Sequence, residues 1–158
     1  MRYAHTNLIA RNWRSLSQFY QKVFECKPVP PERDLKGEWL ERLTGMPDVH
    51  IVGEHLRLPG YDDEGPTLEI FSYDTSASGE SKLNRHGFSH IAFEVESVAD
   101  TVKLLLDEGG ELMGEIVSKE YDTLGIGTFA YAKDIEGNII EMQSWEKRIK
   151  HCRMSPAK

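Results

Sequence analysis

The sequence predicts an α+β fold made of two successive β-α-β-β-β modules. The order of strand-like and helix-like segments in the first half is repeated in the second half at a spacing of about 80 residues, which indicates duplication of one supersecondary unit. Between the halves lies the connector 74–86, DTSASGESKLNRH, which has no hydrophobic periodicity and is rich in polar residues. We therefore expect a single domain at 1–146, with modules at 3–73 and 87–146, followed by a basic tail at 147–158.

The first module starts with a strand and a helix. Residues 3–10 alternate in hydrophobicity, and residues 13–25 carry apolar side chains at helix spacing. The proline-rich segment that follows is assigned no strand, and EWLERL at 38–43 predicts a short helix that ends before Gly45. Two further strands are predicted, at 50–58 and 67–73, so three of the four strands of the first β-α-β-β-β module are assigned to segments.

The second module repeats this order. A strand is predicted at 88–95, and Ser97 begins a helix that runs to Glu108, where two glycines end it. Three more strands are predicted, at 111–118, 128–133 and 139–145, the last two joined by a turn at 134–138.

The bulk composition excludes several classes of partner. A formal net charge of −7 opposes binding to nucleic acid or to anionic lipid. No stretch approaches the ~18 apolar residues needed to cross a bilayer, and the chain does not start with the basic and then apolar run of a signal peptide. We therefore expect a cytoplasmic protein with a small-molecule or protein partner, and no contact with nucleic acid or membrane.

A His followed by a Glu occurs in strand-like runs of each module. The runs YAHTNLIA, PTLEIFSY, GFSHIAFEV and GNIIEMQSW contain His5, Glu69, His90 and Glu141. Because strand side chains alternate between faces, each of the four lies opposite the apolar residues that would pack on a helix. A curved sheet with its helices outside would turn all four toward one concave face.

These four residues form a mixed nitrogen and oxygen donor set, suited to Zn²⁺, Ni²⁺, Co²⁺, Mn²⁺ or Fe²⁺. Two neighbouring buried carboxylates repel each other and lose hydration unless a cation compensates them. An ion-free alternative is a pair of salt bridges, His5 with Glu69 and His90 with Glu141. The leading hypothesis is a divalent metal site formed by the four side chains.

Four segments resemble the vicinal-oxygen-chelate superfamily, which includes glyoxalase I, methylmalonyl-CoA epimerase, extradiol dioxygenases, and bleomycin and fosfomycin resistance proteins. The segments are HTNLIARNWRSLSQFYQKVF, LRLPGYDDEGPTLEIFSY, GFSHIAFEVESVADTVKLLLDEGG and DIEGNIIEMQSW. The resemblance covers residues 3–146 and implies that the paired modules form a cupped, open-barrel mixed sheet around a divalent metal. It also implies a homodimer, because fused modules of this superfamily commonly pair.

The candidate ligand set is most similar to that of glyoxalase I (lactoylglutathione lyase), which carries His, Glu, His and Glu at the four strand positions. Methylmalonyl-CoA epimerases usually have Gln at the second position, and extradiol dioxygenases bind Fe²⁺ with two His and one Glu. Two features depart from glyoxalase I. Ile9 stands where a basic residue holds glutathione, with Arg11 two places on, and the insertion at 38–47 would reshape the mouth of the pocket.

The resemblance implies a metal-dependent lyase or isomerase. The metal binds a substrate carbonyl oxygen, and Glu141 or Glu69 removes the α-proton to give a metal-stabilised enediolate. Two other functions are left open by the residues. One is a binding or resistance protein that sequesters a small molecule in the same cup, and the other is an Fe(II) extradiol-type dioxygenase in which Glu69 is a bystander.

Overall fold

The computed structural model of the chain describes residues 1–77 and 79–146. The basic tail predicted at 147–158 lies outside the described residues. The described part contains two mixed sheets and three helices, so the predicted α+β class is confirmed. None of these helices is both long enough and apolar enough to cross a membrane.

The first module supplies one sheet and two helices. Its elements are β1 (His5–Ile9), α1 (Trp13–Phe24), β2 (Lys27–Lys36), α2 (Glu38–Thr44), β3 (His50–Arg57) and β4 (Thr67–Tyr73). The strands are ordered β1-β4-β3-β2, with β1 parallel to β4 and β3 antiparallel to both of its neighbours. Helix α1 begins at Asn12, whose side chain accepts a hydrogen bond from the backbone N–H of Ser15.

The second module repeats this arrangement. Its elements are β5 (Ile91–Glu94), α3 (Val98–Asp107), β6 (Glu111–Leu112), β7 (Val117–Tyr121), β8 (Gly125–Lys133) and β9 (Ile139–Glu146). The strands are ordered β5-β9-β8-β6, and β7 also pairs with β8. As in the first sheet, the first strand is parallel to the last, here β5 to β9. The repeat seen in the sequence is thus also a repeat of sheet topology.

Strand β2 is present where the sequence predicts no strand. It contains Pro28, Pro30 and Pro31, and its register with β3 shifts between Val29 and Arg33. Proline has no backbone N–H to donate, so it is tolerated in a sheet at an edge or beside a bulge. Because β2 is the edge strand of its sheet, it meets that condition.

Several predicted strands have different bounds in the structure, and two of the differences affect the module plan or the candidate site. The segment 111–118 is interrupted near Gly114, whose φ of +133° is readily adopted only by glycine, and so it contributes to both β6 and β7. The strand predicted at 88–95 begins at Ile91, which places His90 one residue before β5. His90 therefore lies at the entrance to the strand and not at its middle.

The larger of two hydrophobic clusters in the described residues contains residues of both modules, including the helix-facing side chains of both sheets and residues of α1 and α3. Phe24 of α1 stacks on Phe93 of β5, with 4.1 Å between the ring centroids. Tyr20 of α1 donates a hydrogen bond of 3.0 Å to Asp134 Oδ2, in the turn before β9. Burial raises the pKa of Tyr20, and the negative charge of Asp134 adds to this effect. These contacts join the two modules.

Helix α2 lies on the other face of the first sheet. Its Leu40 is buried and clusters with Ile51 of β3 and Phe71 of β4. In β4, Phe71 shares its face with Glu69 and alternates with residues that point into the shared core. The inserted helix therefore covers part of the face that carries a candidate ligand, whereas α1 and α3 pack on the core side.

His50, the first residue of β3, bridges two carboxylates. Its Nε2 lies 2.8 Å from Asp34 Oδ1 of β2, and its Nδ1 lies 3.2 Å from Asp74 Oδ1. The hydrogen bond to Asp34 is the main cause that raises the pKa of His50, and Asp74 adds to it.

The raised pKa of His50 predicts a dependence of stability on pH. The charged imidazole stabilises the fold at pH values below the ordinary histidine pKa of about 6.5, and this contribution is lost as the pH rises through the raised pKa of the folded state. We expect urea denaturation to show that His50→Gln loses more unfolding free energy relative to wild type at about pH 5 than at about pH 9. Equal losses at both pH values would contradict the prediction.

Candidate functional site

Glu69 is central to the candidate site on the first sheet. In β4 it alternates with the buried Leu68 and Ile70, so its side chain lies on the face away from the shared core. Its Oε2 atom lies 3.3 Å from Nε2 of His5 and accepts a hydrogen bond of 3.2 Å from Nδ2 of Asn7. The predicted partners His5 and Glu69 are therefore in contact.

A second histidine, which the sequence analysis does not single out, contacts the same carboxylate. His55 of β3 lies opposite Glu69 in the antiparallel ladder, and its Nε2 is 3.0 Å from Glu69 Oε1. Its Nδ1 is 3.0 Å from Thr67 Oγ1. Burial lowers the pKa of His55, and the negative charge of Glu69 partly offsets this effect. Both oxygens of Glu69 therefore have histidine partners.

His90 and Glu141 form the corresponding contact in the second module. Nε2 of His90 lies 3.0 Å from Oε2 of Glu141. Tyr131 of β8 lies opposite Glu141 in the ladder, and its hydroxyl donates to the same oxygen at 3.3 Å. Burial raises the pKa of Tyr131, and the charge of Glu141 adds to the shift, so the phenol is protonated and acts as a donor at neutral pH.

The two clusters are related by the module repeat. Each contains a histidine at the start of the first strand, a glutamate in the last strand, and the residue that faces this glutamate across the ladder. His5, His55 and Glu69 correspond to His90, Tyr131 and Glu141. The His and Glu repeat in the sequence is thus also a repeat in space, and the modules differ at the third position.

The structure does not gather the four predicted ligands into one group. Among the residues that it describes, no three or more His, Cys, Asp or Glu side chains are arranged to hold a metal ion. His5 and His90 line one cavity of about 490 Å³, whereas Glu69 and Glu141 are not among its lining residues. One chain therefore presents two His–Glu pairs, and the four-residue metal site stays a prediction.

The geometry of each pair is compatible with shared metal ligation. Two ligand atoms about 2.1 Å from one ion and about 90° apart are separated by about 3.0 Å. The His–Glu distances of 3.3 Å and 3.0 Å are close to this spacing. They are also ordinary nitrogen–oxygen distances for an ion pair. The donor types fit a first-row divalent metal, and the distances also fit the ion-free alternative inferred from the sequence.

Solved structures match this fold over nearly the whole chain. A glyoxalase family protein from Bacillus cereus has a TM-score of 0.78 and 21% identity, and the match covers 92% of this chain and 94% of that chain. A fosfomycin resistance protein mutant from Listeria monocytogenes, complexed with Mn(II) and 1S,2S-dihydroxypropylphosphonic acid, has a TM-score of 0.57 and 15% identity, with 89% of this chain and 90% of that chain covered. At these identities the likeness establishes the fold alone.

Two curated proteins of Arabidopsis thaliana, the proteasome subunits alpha type-2-B and alpha type-2-A, are each 28% identical to this chain. The matches cover 77% and 76% of this chain. This chain spans about half the length of these relatives, 56% and 55%. Identity at this level does not establish a family, and the fold agrees instead with the glyoxalase family structure.

The family model described as Glyoxalase/Bleomycin resistance protein/Dioxygenase superfamily matches residues 2–142. The matched range includes all four candidate ligands and both of the cross-strand residues that contact the glutamates. Both the sequence match and the repeated sheet topology confirm the resemblance inferred from the sequence. The chain belongs to the Glyoxalase/Bleomycin resistance protein/Dioxygenase superfamily.

Proposed function

We propose that this protein is a cytoplasmic, divalent-metal-dependent lyase or isomerase of the glyoxalase type, acting on a small oxo or thioester substrate. The observation that carries the proposal is the repeated His–Glu pair, whose carboxylates are only 13% and 18% exposed. Such sheltered carboxylates are suited to metal ligation, because a cation offsets their lost hydration. The Mn(II) complex of the fosfomycin resistance protein shows that this fold accommodates a divalent metal in a related protein.

The residues that would hold the metal are His5, Glu69, His90 and Glu141, and the candidate metals are Zn, Ni, Co, Mn and Fe. A divalent cation bound there would supply positive charge that stabilises negative charge developing on a substrate carbonyl oxygen. The low exposure of both carboxylates would limit the competition of water for the same positions.

Glu141 is the proposed base. Its contacts with His90 and Tyr131 both involve Oε2, so the carboxylate is held from one side. In the chemical step the C–H bond next to the carbonyl breaks and its proton passes to the Glu141 carboxylate. The electron pair of that bond forms a C=C bond, and the carbonyl π electrons move to the oxygen. Return of a proton to the opposite face of the same carbon gives epimerisation. Isomerisation requires a proton to return to the former carbonyl carbon and the hydroxyl proton of the first carbon to pass to the former carbonyl oxygen, so that a new C=O bond forms at the first carbon.

Deuterium exchange tests this proposal. The purified protein would be depleted of metal, reloaded with each candidate metal, and incubated in D₂O with α-oxo thiohemiacetals or with 2-substituted acyl thioesters. We expect NMR to show deuterium entering the α-position of one substrate class only when metal is present. A loss of exchange after chelation, with recovery on reloading, is the internal control. Absence of exchange from both substrate classes in every metal-loaded sample would overturn the proposal.

A small-molecule binding protein is the second candidate function. The observation that favours it is the absence, among the described side chains, of a ligand group ready to hold a metal within one chain. Saturable binding of a substrate analogue by metal-free protein, without exchange, would support this alternative.

A homodimer is the proposed assembly. The described residues of one chain do not gather the two His–Glu pairs into one ligand group, and β2 is an open sheet edge. A second copy could supply the missing half of each site and cover such edges. We expect light scattering coupled to size exclusion to give twice the chain mass of 18.0 kDa at micromolar concentration. A monomer under those conditions would contradict the prediction.

A further inference from the structure

We propose that His55 is a positioning residue for Glu69, holding its carboxylate in the orientation needed for metal ligation. The role assigned to Glu69 rests on the proposed function. His55 itself is outside the four residues predicted from the sequence, and its contacts are independent of that prediction.

The hydrogen-bonding chemistry fixes the direction of the contact between His55 and Glu69. Nε2 of His55 lies 3.0 Å from Oε1 of Glu69, which is an ion-pair distance, and because an ionised carboxylate only accepts hydrogen bonds, we assign the proton between these atoms to Nε2. In the neutral ring, Nδ1 is then the acceptor, and its partner at 3.0 Å is the Thr67 hydroxyl. In this inferred tautomer the Thr67 hydroxyl donates to His55, and the His55 N–H is directed to Glu69.

These contacts leave the Glu69 carboxylate little rotational freedom. Oε1 is held by His55, and Oε2 is held by His5 and Asn7, so rotation of the carboxylate would break contacts at both oxygens. The His55 side chain is itself only 19% exposed, and its ring meets Phe71 edge-on at 5.9 Å between centroids. A ligand oriented in this way before the metal arrives loses less entropy on binding.

His55 is better placed to orient a ligand than to be one. Its side chain is less exposed than that of the proposed ligand His5, 19% against 46%, and its Nδ1 contacts the Thr67 hydroxyl. In the second module the equivalent Tyr131 contacts Oε2 of Glu141, the same oxygen that His90 contacts. The two carboxylates therefore differ in the residue that faces them across the ladder, His55 for Glu69 and Tyr131 for Glu141. Glu69 is held at both oxygens, which suits a fixed ligand, and Glu141 is held at one, which suits a base.

The first test measures Co²⁺ affinity by chelator competition, together with the visible spectrum of bound Co²⁺. We expect His55→Ala to weaken binding about 10- to 100-fold, the usual effect of losing a hydrogen-bond partner of a metal ligand. His55→Gln keeps an N–H donor and should recover most of the affinity with a spectrum like that of wild type. Thr67→Val should weaken binding in the same direction but by less.

Two variants serve as references for this measurement. His50→Gln changes a histidine on the same strand that contacts Asp34 and Asp74, and it should bind Co²⁺ like wild type. His5→Gln removes a proposed ligand. Unchanged Co²⁺ affinity in His55→Ala would overturn the inference, and so would a loss in His55→Gln as large as that in His5→Gln, because His55 would then be a ligand.

The second test uses the metal-free protein, so it does not depend on the proposed function. Long-range ¹H–¹⁵N correlations should show a proton on Nε2 of His55, and Glu69→Gln should shift the Nε2 resonance. A ring protonated only on Nδ1 would overturn the inference. If wild type binds no Co²⁺ but retains the Nε2 proton and its response to Glu69→Gln, the metal-dependent function fails while the orientation of Glu69 by His55 is supported.

Discussion

Glu141→Gln should lower the rate of metal-dependent α-proton exchange by about 10²-fold or more, which is the usual contribution of a positioned general base. The amide keeps an oxygen donor near His90 and Tyr131 but cannot take up a proton at neutral pH. Metal affinity should therefore fall less than the exchange rate. The measurement is NMR-detected deuterium incorporation with wild type and variant loaded to the same metal content.

Glu69→Gln is the matched comparison, because Glu69 occupies the equivalent position of the first sheet. We expect this variant to lose mainly metal affinity, and to recover more of its exchange rate than Glu141→Gln when metal is in excess. A Glu141→Gln variant that exchanges as fast as wild type would show that Glu141 is not the base. Equal recovery of both variants with excess metal would assign the two glutamates a common role as ligands.

Phe24→Ala should lower the free energy of unfolding by about 3–5 kcal/mol, the usual cost of truncating a buried phenylalanine. Phe24 is 4% exposed and stacks on Phe93, which belongs to the other module. The lost contact therefore joins the two halves of the chain, and both sheets should unfold in one transition in wild type. Urea denaturation followed by circular dichroism and by tryptophan fluorescence measures this.

Phe88→Ala is the control for that experiment, since Phe88 has the same side chain but is 95% exposed. It should change the unfolding free energy by less than about 0.5 kcal/mol. A loss for Phe24→Ala no larger than that of Phe88→Ala would contradict the view that the aromatic stack stabilises the junction between the modules.

The sequence predicts the helices better than the strands. In α1 the apolar residues repeat at helix spacing because one face of the helix is buried. The predicted helix, 13–25, and the observed helix, Trp13–Phe24, differ by one residue at the C-terminal end. β2 is missed because proline lowers local strand propensity, whereas its pairing as an edge strand depends on β3, which is distant in sequence. The local sequence pattern thus predicts elements that bury side chains at a regular spacing. It does not predict a strand that forms only by pairing with a strand distant in sequence.

The same distinction applies to the candidate site. The His–Glu contacts follow from alternation within strands and from the duplicated pattern, both of which are visible in the chain. The contact of His55 depends on the register between β3 and β4, which places it opposite Glu69. Alternation with the buried Leu56 turns His55 to the face of Glu69, but the identity of its partner depends on how β3 and β4 pair, which neither segment shows alone. The sequence therefore predicts Glu69 as a candidate ligand but does not predict its contact with His55.

Helix α2 has a consequence for the shape of any bound substrate. It covers Phe71 on the ligand-bearing face of the first sheet, whereas α3 packs on the opposite face of the second sheet, near Met142. The position equivalent to Phe71 in the second sheet is the polar Gln143. The two glutamates therefore have different surroundings, with an apolar residue covered by a helix beside Glu69 and a polar residue beside Glu141. The duplicated modules thus make the proposed site asymmetric. Such a site can favour one orientation of an unsymmetrical substrate over its reverse.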